Sequence, residues 1–489
     1  MKDSAGLVPG WWTGPVSTRG TQRTDAGTTS PGGTPATPVS QRRLVVGVCA
    51  TIVAVAFESI AVATAMPVAA RDLDGFAYYA WSFSVFVIGM LFSTVVGGRL
   101  GDRIGPARPL LVGIVVFALG LVLAGSATTM GQLIAGRFVQ GLGGGVLNVS
   151  IFVCVAQVFA PQDRPRMFSY ISTAWVLPAF VGPPVSAWLT HRLSWHWVFF
   201  AVLPLVALGG ALVLPTMLRL MRSFVPTAPE PGARPPAPIW AAVVVSLAAA
   251  ALQLAGQRLD VVALLLLVGG LVGLAVGLPR LMPPGFLRFR RGISPVIVVR
   301  GLLPGAFFGG EAFLPLMLVE QRGVALVLAG ATLTVGAVGW TTGSWIQSRP
   351  WVVLRRDRLI TVGCCSVALG LASVGTLAFL PGVPFWLAGV GWVFAGFGMG
   401  LSVSSTSLAV MTLSSEAEQG RNASSLNLFD ALGSSVFVGI AGSLFNALRP
   451  GGDLPLTFGV LLLSMMVIAV LAALASLRIG VVRNEFAAG

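Results

Sequence analysis

Charge is what this sequence has least of: 10% of its 489 residues are charged, while 55% are hydrophobic. Soluble domains run near 25% charged, so the chain lacks the polar side chains to coat a water-soluble globule. That shortage excludes a soluble enzyme, a secreted disulfide scaffold and a disordered protein. Lysine is almost missing, with Lys2 alone, and the other basic residues are arginine. Cys49, Cys154, Cys364 and Cys365 all lie inside apolar runs, where each reads as a small buried hydrophobe rather than a disulfide partner or metal ligand. His191 and His196 assemble no metal site with thiols so distant, which argues against zinc or redox chemistry. No Ser-His-Asp or His-Glu-x-x-His pattern is present. No enzyme activity, metal or cofactor is expected.

What is present is hydrophobic length. After a Gly-, Pro-, Ser- and Thr-rich stretch over the first forty residues, apolar segments near the ~20 residues needed to cross a bilayer recur to the end. The first apolar run begins at Leu44 and is too long for a signal peptide, so no cleaved targeting segment is read. Spans are expected at about 44–68, 78–98, 109–126, 132–157, 167–189 and 197–217. After a Pro-rich stretch from Pro226 to Pro238 they resume at about 239–257, 261–278, 295–319, 324–345, 359–379, 384–413, 422–446 and 455–477. The 61 glycines are spread through these runs without a collagen repeat, as in packed membrane helices.

Charge placement orients the map, because basic residues collect in cytoplasmic loops. With the amino terminus inside, only Arg71, Arg192, Arg258, Arg322 and Arg449 fall in outer loops, and only Arg137 and Arg300 fall within spans. The rest of the 31 basic residues lie on the cytoplasmic side, so the net charge of +14 is a topological signal and not a nucleic-acid-binding patch. Both termini are expected in the cytoplasm and the protein in the plasma (inner) membrane. Twelve spans satisfy the same tally, since removing the seventh and eighth together leaves every other loop on its side. Their apolar length, joined by a polar turn at Arg258 and Asp260, favours fourteen. The loop Gly98-Arg-Leu-Gly-Asp102-Arg103 and the later loop Gly343-Ser-Trp-Ile-Gln347-Ser-Arg349 occupy equivalent places if the chain holds two six-helix repeats. Such repeats, with a site between them at mid-membrane, are a transporter architecture.

An ionisable side chain inside a span is costly, and each calls for a reason. Glu58 lies about 15 Å below the outer surface at 1.5 Å per residue, and Arg137 about 9 Å below it. A buried carboxyl resists ionising, which suits it to carrying protons, and Arg137 is its natural counter-charge. The pair is read either as a proton site or as a static ion pair. Glu311 lies at a depth similar to Glu58, in the span that opens the second half. It serves either as a second proton or cationic-substrate site facing the cavity, or as a local hydrogen-bonding group near a broken helix. Asp430, nearer the cytoplasmic face, is expected to join polar packing with Asn427. Arg300 is expected to snorkel to the headgroups. Gly141-Leu-Gly143-Gly144-Gly145 sits in mid-span without a following Lys-Ser/Thr, so close helix packing is read there rather than a phosphate cradle. Trp195-His196-Trp197 reads as an interfacial anchor.

These residues also carry a family pattern. Gly98-Arg-Leu-Gly-Asp102-Arg103-Ile-Gly105 resembles the signature loop of the major facilitator superfamily. Arg137-Phe-Val-Gln140-Gly141-Leu-Gly143 is similar to its fourth-span motif, and Gly182-Pro183, after Pro178 and before Ser186-Ala187, to its fifth-span antiporter motif. The stretch from Glu58 to Pro67 resembles the first-span motif of the fourteen-span drug–proton antiporters, where the acid is usually Asp. The loop departs from the pattern in having Pro106-Ala107 after Gly105, and the fifth-span motif normally carries Gly at Pro178, Ser186 and Ala187. The resemblance implies gating by Asp102 with Arg103, Gly98 and Gly105, proton coupling by Glu58 and Arg137, and tight packing at Gly141, Gly182 and Pro183.

The expected fold is an all-α polytopic membrane protein of two six-helix bundles plus an extra two-helix hairpin. A cytoplasmic tail covers residues 1–43, the first bundle 44–217, a Pro-rich linker 218–238 and the hairpin 239–278. A basic linker covers 279–294, the second bundle 295–477 and a cytoplasmic tail 478–489. The expected function is proton-coupled export of a small hydrophobic or cationic compound by alternating access, by a monomer whose partners are substrate, protons and lipid. A metabolite or lipid exporter or a proton symporter of the same fold is the alternative, and a channel or membrane-embedded enzyme a remote one.

Overall fold

The computed structural model describes residues 38–159, 164–223, 238–256, 261–349, 351–414 and 416–483, and every regular element among them is helical. The tail expected before residue 38, most of the Pro-rich linker and residues 484–489 lie outside the described residues. The first half holds α1 (Pro38–Asp72), α2 (Trp81–Ile104), α3 (Ala107–Gly125), α4 (Met130–Val158), α5 (Arg164–Arg192), the short α6 (His196–Phe200) and α7 (Leu203–Ser223). A hairpin of α8 (Ile239–Ala255) and α9 (Val261–Leu281) follows. The second half holds α10 (Ile293–Glu320), α11 (Leu326–Gln347), α12 (Arg356–Ala378), α13 (Trp386–Leu413), α14 (Glu416–Leu448) and α15 (Leu454–Ser476).

Among the described residues, twelve helical stretches are long and apolar enough to cross a membrane, against the fourteen spans expected. The difference has a simple origin. Helix α8 is apolar but 17 residues long, and α5 contains Pro178, Pro183 and Pro184 with arginine at both ends. In hydrocarbon the backbone must satisfy itself, which makes helix the outcome for each apolar run; prolines inside α1, α5 and α10 are tolerated because neighbouring helices and hydroxyls take up the freed groups. Short polar caps set some starts. The Thr129 hydroxyl accepts from the Gln132 N–H at 3.2 Å, and the Asp453 carboxylate from the Leu456 N–H at 2.9 Å.

Glycine decides how the helices meet. Helix α4 lies between α2 and α3. Gly141 and Gly145 face α2, where a Cβ would collide with the Phe86 and Met90 carbonyl oxygens. Gly136 and Gly143 face α3, against Ala124 and Phe117. Helix α13 repeats the arrangement between α11 and α12: Gly396 and Gly400 meet Gly336 and Trp340, while Gly391 and Gly398 meet α12. The two halves are thus built on one packing pattern, in which Gly141 corresponds to Gly396 and Gly145 to Gly400. The same close contacts match Gly113 to Gly363 and Gly120 to Gly370. They also match Gly89 to Gly339, which meet Phe138 and Leu142 in one half and the corresponding Val393 and Phe397 in the other, and the same spacing sets Ser93 opposite Gly343. The loop repeat therefore has a different register from the one expected, with Gly98 corresponding to Ser348. We expect Gly141→Val to cost about 3 kcal/mol or more, because the clash is with backbone and cannot be relieved by a rotamer change. A drop in detergent thermal stability for Gly141→Val, beside little change for Gly131→Ala, which meets nothing, is the check.

Helix α9 presents Leu264, Leu265, Val268, Leu271 and Val272 outward, as a lipid-facing helix does. Its partner α8 packs on α9, on α2 and on α14. Trp195 is buried and donates to the Asp72 carboxylate at 2.9 Å, so of the aromatic group expected as an anchor only Trp197 stands exposed.

Candidate functional site

Glu58 sits in the middle of α1 and is fully buried; Arg137, one turn before Gly141 on α4, is 3% exposed. The guanidinium Nη1 donates to Glu58 Oε1. Its other partners fix its direction: Nε donates to the Ser82 carbonyl at 2.8 Å, and Nη1 also to Gln140 Oε1 at 3.1 Å. The Phe86 ring lies 4.5 Å from the guanidinium carbon, on the face left free of hydrogen bonds. Gln140 closes the circle by donating Nε2 to Glu58 Oε1 at 3.3 Å. The two bonds to Glu58, from Arg137 and Gln140, converge on one carboxylate oxygen. The other, Oε2, is buried with no hydrogen-bond partner. A carboxylate so placed has one oxygen held by charge and one free to carry a proton.

The glycines of α4 make this possible. Because Gly141 brings α4 against the backbone of α2, Arg137 reaches the Ser82 carbonyl across the helix boundary. Gly182 and Pro183 on α5 lie along α1 and α11: Gly182 is within van der Waals reach of Ile60, and Ser186 Oγ donates to the Ala61 carbonyl at 2.6 Å. Pro183 meets Gly330 at the start of α11, where a Cβ would come within 3.4 Å of the proline ring and 2.9 Å of Thr64.

Glu311 is partly buried on α10 and makes no hydrogen bond or ion pair among the described residues. One turn before it, Phe307 stacks on the buried Trp392 at 4.9 Å, and Phe307 and Phe308 both meet Trp340. In the register that matches Gly141 to Gly396, Trp392 stands where Arg137 stands in the first half. Asp430 does not pair with Asn427, which is exposed. It accepts from Arg300 Nε at 2.8 Å, and Arg300 Nη1 also donates to the Val403 carbonyl at 2.6 Å, Thr406 Oγ1 at 3.1 Å and Ser407 Oγ at 3.2 Å. The expected snorkelling of Arg300 is replaced by an inward turn, because the hydroxyls of α13 and the carboxylate of α14 satisfy it inside. In the signature loop Gly105 ends α2 at φ 80°, a conformation that favours glycine, and Arg103 is exposed. The Asp102 side chain lies outside the described residues.

A second constellation escaped sequence reasoning. At the end of the bundle where α1 finishes, here the Arg71 face, the halves are joined. Arg71 pairs with Glu320 at the end of α10. Tyr79 is fully buried, donates to the Ala312 carbonyl at 2.7 Å and lies among Phe83, Phe313 and Phe445. Asn446 donates to the Ala77 carbonyl at 2.6 Å, Arg449 covers the Phe76 ring, and Gly442 meets Ala80. The only signal in the sequence was scarcity: of three tyrosines, Tyr78 and Tyr170 are exposed and Tyr79 is not.

Membrane-length helices built twice on one packing pattern, with a charged pair sealed inside, define a membrane transport protein. The chain belongs to the Major Facilitator Superfamily, whose family model matches residues 47–438. It is 26% identical over 390 residues to Multidrug resistance protein 3 of Bacillus subtilis (strain 168), covering 76% of this chain and 73% of that one. It is 27% identical over 406 residues to the MFS-type transporter Rv1877 of Mycobacterium tuberculosis (strain ATCC 25618 / H37Rv), covering 78% of this chain and 56% of that one. A solved POT family transporter in complex with 5-aminolevulinic acid shares the fold at TM-score 0.68 and 15% identity, over 91% of this chain and 97% of that chain.

Proposed function

We propose that this protein exports a small hydrophobic or cationic compound in exchange for protons, by alternating access across the plasma membrane. The carrying observation is the Glu58 site: a fully buried carboxylate with one oxygen bound by Arg137 and Gln140 and the other unpartnered. Protonation of Glu58 releases the charge that holds Arg137, and that change of partner is what couples proton uptake to helix movement. In this reading both termini are cytoplasmic, the Arg71 face is the outer face, and α5 and α8 complete fourteen spans. The α8–α9 hairpin is the extra pair between two six-helix halves, Asp102 gates the cytoplasmic side with Arg103, and the protein works as a monomer.

Glu311, about one helical turn beyond Phe307 and Phe308, whose rings meet Trp340, is the second acid of the proposal: a carboxylate near aromatic faces suits a hydrophobic cation. The name of the Bacillus relative, a multidrug resistance protein, supports the same substrate class. The test is a pH-sensitive dye inside proteoliposomes, with a panel of hydrophobic cations and a panel of lipids added in turn. A transported cation is expected to produce an interior pH change absent from protein-free vesicles. Transport with no proton movement, or transport of lipids alone, overturns the proposal.

A further inference from the structure

The α8–α9 hairpin grips the two halves in different ways. Toward the second half it is held at both ends. Near α9's last turn, Ser425 Oγ of α14 donates to the Leu281 carbonyl at 2.9 Å, and just beyond it Phe286 meets Phe429 edge-on at 5.3 Å. At the other end of α8, the Gln253 side chain lies against Gly439 and Gly256 against Ser443, both on α14. A short segment from Met282 to Gly292 then joins the hairpin directly to α10. Toward the first half, α8 packs on α2 at least as broadly as on α14, but the one side-chain hydrogen bond there among the described residues runs from Gln253 Nε2 to Ser84 Oγ.

Gln253 therefore sits on a seam. It is 3% exposed, on α8 between α2 of one half and α14 of the other, at the level where Ala80 touches Gly442. A side-chain amide buried in a helix whose only other polar residue is Ser246 is costly without partners, and Ser84 is the partner it has. The seam is part of the closure on the Arg71 face. For that face to open, α2 and α14 must part, and α8 cannot stay on both.

We propose that the hairpin is a clamp over the α2–α14 seam that travels with the second half: it stays on α14 when the outer face opens and gives up α2, with Gln253–Ser84 as the bond that breaks. This rests on the alternating-access reading above. The clamp biases the protein toward the outer-closed state by the strength of that bond, and it covers from the lipid side one of the two lines along which the halves separate. The other line, between α5 and α11, is closed by direct contact of Pro183 with Gly330, and among the described residues no helix covers it as α8 covers the first.

Spin labels introduced as noncanonical amino acids leave the four native cysteines in place. Three exposed positions serve: Leu193 on the first half, Val261 at the start of α9 and Ala325 on the second half. Double electron–electron resonance distances are recorded in the parent protein and in Tyr79→Ala, with Arg71→Ala as a second means of weakening outer closure. The expected result is that the Leu193–Ala325 and Val261–Leu193 distances lengthen together while Val261–Ala325 holds. Val261–Leu193 holding while Val261–Ala325 lengthens, or both changing, overturns the clamp and leaves alternation intact. A Leu193–Ala325 distance unchanged in both variants overturns the alternating-access reading, and the clamp with it. In the parent background, Gln253→Leu is expected to raise the outer-open to outer-closed ratio roughly fivefold, the worth of one ordinary hydrogen bond. An unchanged ratio in folded Gln253→Leu overturns the clamp as well.

Discussion

If Glu58 is the proton site proposed above, Glu58→Gln is expected to abolish proton-driven transport while the protein still reaches the membrane folded. Glutamine keeps the shape of the side chain and an oxygen for Arg137 and Gln140 to donate to. Arg137 also keeps the Ser82 carbonyl, Gln140 Oε1 and the Phe86 face, so the buried cation is not left without partners. What the amide cannot do is exchange a proton. Substrate flux driven by an imposed pH gradient in proteoliposomes is expected to fall to the level of protein-free vesicles, with unchanged elution on size exclusion. A static ion pair makes the opposite forecast: a change in stability with coupling preserved. Undiminished pH-driven flux in Glu58→Gln would remove Glu58 from the mechanism.

The larger stability effect belongs to Arg137→Met. Removing one member of a buried ion pair leaves the other as an uncompensated charge, at a cost of about 3–5 kcal/mol. Here the stranded group is Glu58, whose Oε2 already lacks a partner. It can escape part of the cost by binding a proton, at the expense of the exchange that transport needs. Arg137→Met is therefore expected to lower thermal stability sharply at neutral pH and to stop pH-driven flux. The Glu58→Gln/Arg137→Met double variant removes both charges, and it is expected to recover most of the stability without recovering flux. A double variant no more stable than Arg137→Met alone would mean that the arginine's packing against Phe86 and its bond to Ser82 matter more than its charge.

Much of this was legible in the residues. The spans were readable because hydrocarbon demands long apolar runs, and most helices run a few residues past the expected ends because backbone pairing continues into the interface. Glu58 and Arg137 stood out because charge is rare inside spans. Gly141 was read as packing, and it does lie against the backbone of α2. Other features depended on contacts between distant segments. Arg300 has the position of a snorkelling residue, and only the fold brings Asp430, Thr406 and Ser407 around it. Arg71, Glu320 and Tyr79 look like ordinary loop-end residues until α1, α2 and α10 are placed side by side. The repeat loops were matched by their shared small and basic residues, whereas the glycine contacts on α4 and α13 give a different register. That register also shows where the halves diverge: an arginine bound to a carboxylate in one, a tryptophan stacked on a phenylalanine in the other.

One helix carries both the buried carboxylate and an arm of the ion pair on the Arg71 face. Glu58 and Arg71 belong to α1, with Pro67 between them, and the arginine lies about 20 Å further along at 1.5 Å per residue. Pivoted near Glu58, a stiff rod of that length turns a tilt of about 10° into a shift of about 3 Å at its tip. A displacement of that size separates a hydrogen-bonded pair such as Arg71 and Glu320. No chain of intermediate side chains is then needed to carry news of a proton from the membrane interior to the surface. In the proposed exchange the helix would itself be the lever, and its length would set the gain.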